Sequence, residues 1–350
     1  MSINVALLSE ICKAPGAPGF EKQIRELILK EVTPLVDEVE VDNIGNVVVT
    51  KKGKSSDKTI MVTGHMDEIG FIVNYIDDRG FIRFLPLGGF DPKTLTAQRV
   101  IIHGKKDIIG VMGCKPIHLM SPGERGQKLQ LKDFFIDTGM PKKEVEKIVE
   151  IGNPITRERD LIEMGECVNS KSLDNRLAVF ILIEMLREYK GTPPYDIKGV
   201  FTVQEEIGIR GAIVAGLTHA PDFAINIDVT IAFDVPDAKP EEAVTHLGEG
   251  TAIKIMDSSV ICDYRMVEFM KKTAKKNNIK WQPELLPAGG TDTAGVQRFH
   301  TGGGSIAGAL SIPCRHVHQV IEMSHKEDIR ATIDLLKACI KDLPKHNWSF

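Results

Sequence analysis

Apolar stretches of this chain repeatedly end on, or run straight into, ionisable side chains, and no other feature restricts the fold as much. GVFTVQEEIGIRG places the adjacent carboxylates Glu205 and Glu206 at the end of a β-like run. His65 and Asp67 stand in MVTGHMDEIG, Asp174 in KSLDNRLA, Asp228 in FAINIDVT and His318 in IPCRHVHQ. Each ends or follows a segment that reads as a buried strand, or opens a helix. A site gathered from several element ends is what an α/β scaffold supplies. The 350 residues exceed the usual size of one domain and 42% of them are hydrophobic, so a sizeable core and two domains are expected.

Local signals divide the chain. Residues 5–12 and 19–31 have helical spacing around a turn at 15–19, residues 40–50 alternate about Asn43-Ile44-Gly45-Asn46 as a hairpin, and 58–63 form a short strand leading to His65. From about Gly70, FIVNYIDDRGFIRFLPLGG, QRVIIHGKKDIIGVMG and the segment around DLIEMGECV are short β-like runs punctuated by Asp-Arg-Gly, Gly-Lys-Lys and Gly turns, with one helix at 142–148. After Lys171 an α/β pattern resumes, with helices over 174–187, 211–217, 265–275 and 326–343 and strands over 196–204 and 223–228. The expected architecture is an α/β catalytic domain with a mixed central sheet, formed by residues 1–69 and 164–350, around an inserted β-rich domain at 70–163.

Charge and cysteine content narrow the function classes. With 44 basic and 48 acidic residues, a formal charge of -4 and no long basic tract, nucleic acid is not an expected partner. The six cysteines show no CxxC and read as reduced thiols, and MSINVALLSEICKAPG lacks the apolar run of a signal or membrane span, so a cytoplasmic protein is expected.

Imidazole and carboxylate are the ligands that borderline divalent metals accept, and two close ions sharing one bridging carboxylate suit hydrolysis. Taken singly, each residue also has an ordinary explanation. His65 could be a buried histidine paired to Asp67, although two residues apart on an extended segment put both side chains on one face, where the carboxylate can orient a metal-bound ring. Ser172 or Asp174 could cap the helix that follows. Glu205 and Glu206 could form a solvated turn, except that the strand before them reads as buried. Asp228 after FAINI is either a ligand or a paired structural acid, because a free buried carboxylate is expensive. One of His316 and His318 could be a surface imidazole. The glycine-rich PAGGTDTAG and HTGGGSIAG match no Walker motif, and Asp292 within the first either organises a cleft loop or forms a turn. No G-x-S-x-G elbow supports a serine hydrolase.

Together, GHMDEIG, KSLDNRLA, VQEEIG, NIDVT, PAGGTDTAG and IPCRHVH resemble the M42 family of metallo-aminopeptidases, over essentially the whole chain. The resemblance implies an α/β peptidase domain, an inserted β-rich domain assisting assembly, two divalent metals of the zinc or cobalt kind, and a tetrahedral dodecamer or a smaller dimer. It implies that one metal is bound by His65 and Asp228 and the other by Glu206 and His318, that Asp174 bridges both, that Glu205 is the general base and that Asp67 orients His65. The implied substrates are small or unfolded peptides with a free N-terminus. Three positions depart from the family pattern: His316 where Tyr is common, Gln319 after the histidine, and Asn175 where a second Asp often stands. A dinuclear carboxypeptidase or deacylase, or a metal-stabilised scaffold, are the competing readings. The absence of a positive cluster near residues 289–304, apart from Arg298 and His300, favours a neutral or apolar N-terminal residue.

Overall fold

The computed structural model describes residues 3–350. Four strands, in the spatial order Tyr195–Thr202, Ser55–His65, Phe223–Ile231, Ile306–Arg315, run parallel at the centre of an eleven-stranded sheet. Antiparallel strands extend it on both sides: Val47–Lys51 and Glu38–Val41 beyond Tyr195–Thr202, and Glu322–His325 and Cys167–Ser170 beyond Ile306–Arg315. The sheet is therefore mixed, and its parallel strands aim their C-terminal ends at one edge, the edge where open α/β sheets hold ligands.

Side-chain alternation builds a layer on each face. Ile60, Val62, Ile225 and Ile227 point into the larger core beneath helix Leu173–Glu188, which is buried along nearly its whole length. Met61, Ala224 and Val200 point the other way, toward the small residues Ala212, Ala215 and Val296 of helices Arg210–His219 and Asp292–Arg298. Helix Lys326–Asp342 packs on Leu173–Glu188 and on the strand Ile306–Arg315. The hairpin expected at 40–50 and the helices expected at 265–275 and 326–343 form as Glu38–Val41 with Val47–Lys51, Tyr264–Lys276 and Lys326–Asp342.

Six short strands close a separate barrel, in the order Gly70–Ile76, Ile82–Leu87, Phe135–Asp137, Asp107–Gly113, Arg99–His103, Pro154–Arg157. Its own core includes Phe71, Val100, Ile102, Phe134, Ile136 and Ile155, with the Phe71 ring stacked on Phe90 at 4.2 Å. The Asp-Arg-Gly signal makes the first turn: Asp77 Oδ1 accepts the amides of Arg79 and Phe81, and Gly80 takes φ +98°. The segment DLIEMGECV, read with the β-rich module, instead folds as the hairpin Ile162–Met164 and Cys167–Ser170 on the edge of the large sheet. Its short runs carry a turn signal but nothing that tells which sheet they join.

Candidate active site

His65 closes its strand and is 2% exposed. Its Nδ1 lies 3.2 Å from the carbonyl oxygen of Asp67 and 3.5 Å from that residue's carboxylate, so Nδ1 carries the proton and Nε2 faces the site. Nε2 meets Asp174 Oδ1 at 3.2 Å, Asp228 Oδ1 at 3.8 Å and Glu205 Oε2 at 3.9 Å. On the other side, His318 Nε2 meets Asp174 Oδ2 at 3.1 Å and Glu206 Oε2 at 3.3 Å. The structure thus brings all seven residues together: five form two groups of donors, His65–Asp174–Asp228 and Asp174–Glu206–His318, with Asp67 and Glu205 beside His65. Within each group the donor atoms lie inside 4.8 Å of one another. His316 faces solvent.

The Asp67 carboxylate does more than face the imidazole. It accepts the backbone amides of Glu205 and Glu206 at 3.1 and 3.2 Å, fixing the loop that leaves the strand Tyr195–Thr202. The two glutamates, two strands' ends and one loop are thereby held as a unit, in place of the solvated turn.

Nor does Asp174 or Ser172 cap the following helix. Ser172 Oγ donates to the carbonyl of Cys12, and the helical dihedrals begin only after Asn175. Asn175 Oδ1 accepts the Ala178 amide at 3.2 Å while its Nδ2 donates to the Ile227 carbonyl at 3.0 Å. Asn175 therefore performs the capping, and the Asp174 carboxylate is free to face both imidazoles. An amide at this position supplies a donor to Ile227 that an aspartate could not.

Electrostatics show what the cluster lacks. Burial, with Asp292, Asp228 and Glu206 nearby, pushes the Glu205 carboxyl well above the ordinary range. Burial and neighbouring Asp174 raise Glu206, and burial raises Asp228 far up. Burial opposes the charged form of His318, yet Asp174 and Glu206 raise it to about 11. Glu206 Oε1 is buried with no hydrogen-bond partner. Excess buried carboxylate with an orphan oxygen is the signature of a cation site, because a divalent ion reverses the local preference for protonation. His and carboxylate donors fit such an ion.

Sequence reasoning passed over Glu322. Fully buried, it accepts the Asp174 amide at 2.9 Å and the His318 amide at 3.1 Å. The signal was present: an acid inside the apolar run of Val320, Ile321, Glu322 and Met323 must be partnered. Asp292 also proves to be buried, with Thr202 Oγ1 donating to it, and burial raises its carboxyl to about 6.

A cavity of about 500 Å³ opens from these groups. Beyond them its walls are uncharged, including Ile209, Val229, Ile231, Leu286, Ala288 and Val317. Arg298 and His300 bond the carbonyls of Ala294 and Pro221 and do not line it. Among the described residues no helix is long and apolar enough to cross a membrane.

Comparison with known proteins agrees with this geometry. The M42 glutamyl aminopeptidase family matches residues 45–335. A protein of Acetivibrio thermocellus described provisionally as an aminopeptidase is 40% identical over 95% of this chain and 97% of its own. The TET aminopeptidase of the marine sediment archaeon Thaumarchaeota archaeon SCGC AB-539-E09 superposes with a TM-score of 0.93, at 33% identity over 97% of this chain and 96% of that one. The Pyrococcus horikoshii TET1 peptidase, which can assemble into a tetrahedron or a large octahedral shell, gives 0.85 at 30% identity, over 96% and 98% of the two chains. With the seven residues gathered at the strand ends and the likeness running through both sheets, the chain belongs to the M42 peptidase family and is a peptide hydrolase of the aminopeptidase class.

Proposed function

We propose that this aminopeptidase works with two divalent ions, of the zinc or cobalt kind, and removes residues one at a time from the free N-terminus of small or unfolded peptides. His65 and Asp228 would hold one ion, Glu206 and His318 the other, with Asp174 shared. The observation that carries this reading is the division of the Asp174 carboxylate, one oxygen toward each imidazole at 3.2 and 3.1 Å. When bound, such ions supply Lewis acidity, activating water and stabilising the charge that develops on the scissile carbonyl oxygen. Glu205 takes the proton from the attacking water and returns it to the leaving amine, a task suited to a carboxylate that lines the cavity 3.9 Å from His65 Nε2. Asp67 holds Glu205 and Glu206 at their amides and keeps their roles apart.

The uncharged walls of the cavity support a neutral or apolar first residue. Residues 70–163 form, in this reading, an inserted domain that assists assembly, with a tetrahedral dodecamer as the favoured form and a dimer as the smaller one. Six unpaired cysteines fit a reducing, cytoplasmic setting.

Mass spectrometry of a peptide digestion time course should show a ladder shortened from the N-terminus, and cleavage confined to the C-terminus or to N-blocked substrates would favour a carboxypeptidase or deacylase. In matched peptides beginning with Leu, Glu or Lys, the Leu peptide should lead in kcat/KM by roughly 10- to 100-fold, the scale of burying one aliphatic side chain. A preference for Glu would overturn the apolar assignment.

A further inference from the structure

The loop carrying His318 is held in an unfavourable backbone conformation. His316 and His318 both lie in the left-handed region, at φ +64° and +60°. Such conformations are sparsely populated by non-glycine residues and persist only where the surroundings determine them. Two buried side chains grip this loop. Glu322, on the strand Glu322–His325, accepts the His318 amide with one carboxylate oxygen and the Asp174 amide with the other. Arg157, the last residue of the barrel strand Pro154–Arg157, is 3% exposed and donates from Nη1 to the carbonyl of Gln319, the next residue after His318. The grip on Asp174 joins the shared carboxylate to the same device. The Asn169 side chain in turn donates to the Glu322 carbonyl at 2.9 Å, anchoring the strand that bears the carboxylate.

We propose that Glu322 and Arg157 are positioning residues that set the spacing of Asp174 and His318, and that through Arg157 the barrel controls the geometry of the His318 side of the site. The inference rests on the dinuclear reading above. Neither residue touches substrate in this assignment. Glu322 is an acceptor for two amides, a role a glutamine fills poorly because its side-chain NH2 must face one of the two N–H groups. Among the hydrogen bonds of the described residues, that of Arg157 alone crosses from the barrel to this loop, and its charge opposes that of Glu322. Releasing either grip lets His318 relax toward an ordinary backbone conformation and move its imidazole away from Asp174 and Glu206.

The test compares the full-length wild type with Glu322→Gln and Arg157→Met. Zinc or cobalt content per chain is measured against rising concentrations of a competing chelator, alongside kcat, KM and the melting temperature of the metal-free proteins. Groups that orient metal ligands typically contribute about 10- to 100-fold in metal affinity or activity. Arg157→Met should therefore lose one ion at about 10- to 100-fold lower chelator strength and keep the other near wild type, Glu322→Gln, which also frees the shared Asp174, should weaken both, and each should fall in kcat with little change in KM. Variants that retain both ions at wild-type chelator strength would overturn the inference, even with lowered melting temperatures, since a purely structural role predicts only the latter. Should Glu322→Gln not fold, Arg157→Met, which leaves Glu322 in place, decides the matter alone. Wild type binding no divalent ion would overturn the dinuclear reading together with this one, whereas wild type binding two ions beside unchanged variants overturns only this one.

Discussion

At the scale of single residues, the adjacent glutamates diverge because of what surrounds each side chain. Glu205 points toward His65 and Glu206 toward His318, while a common acceptor, Asp67, holds both amides. Glu205→Gln is accordingly expected to lower kcat by about 100- to 10,000-fold with both metals retained, the usual range for loss of a general base. Parallel metal analysis checks it, and a metal-replete, fully active variant would move the base elsewhere. Asp174→Ala should instead deplete both ions, because the one carboxylate serves both donor groups. The seven residues were legible as ionisable groups ending apolar runs, yet each had an ordinary local explanation that only their convergence removes. Glu322 escaped although it interrupts an apolar run, because its partners are main-chain amides of Asp174 and His318, and backbone partners leave no residue-type signature of their own.

At the scale of elements, apart from Ile306–Arg315, which was not assigned from its own residues, the parallel strands announced themselves through largely apolar runs, as strands buried on both faces do. Thr251–Met256 and Trp281–Leu285 did not, and the reason is chemical. Lys254 and Glu284 sit opposite each other in register, fully buried and ion-paired, so each breaks the apolar pattern of its own strand while satisfying the other. Pro283 adds a second contrary signal, tolerated because Trp281–Leu285 pairs only with Thr251–Met256. A different charged cluster joins two helices: Glu188, ending Leu173–Glu188, accepts from Arg330 Nη1 and Nη2 at 2.6 and 2.8 Å and from Lys337 Nζ at 2.5 Å. Although burial acts in the opposite sense, these partners lower the Glu188 carboxyl from 4.5 to about 2. A carboxyl depressed in the folded state contributes stability that is present above the unfolded value of 4.5 and lost as pH falls toward 2. Glu188→Gln should therefore destabilise the protein by about 1–2 kcal/mol at pH 7, the value of hydrogen bonds to a charged group reduced by solvent screening at a partly exposed site. In urea titrations the gap to wild type should narrow through that acidic window, and a gap independent of pH would assign the effect to packing.

At the scale of the whole molecule, the barrel has a filled interior and also exposes several apolar side chains. Ile109, Val111 and Leu85 on its strands are at least half exposed, and Ile117 and Leu119 in the connection that follows reach 60% and 70%. Single exposed apolar residues are ordinary, but a concentration of them on one small unit marks a surface that associates. TET relatives assemble, which supports self-association of this chain, and a closed symmetric assembly must bury the same patch on each copy at a twofold contact or match it to a second patch elsewhere. We propose the barrel as the place of that contact, because its strands close on themselves and its exposed apolar side chains are free to face a neighbour. Light scattering of the metal-replete protein should give a mass of several chains, and a single-chain mass at physiological concentration would contradict self-association outright. Replacing Ile109 and Leu119 together by glutamate places like charges at the proposed contact and should lower the mass toward one or two chains. The barrel core of Phe71, Ile102 and Ile136 is untouched by these changes, so circular dichroism should remain that of the folded protein. An undiminished assembly would locate the contact on the large-sheet domain, and the barrel would then serve the chain through its hold on the His318 loop alone.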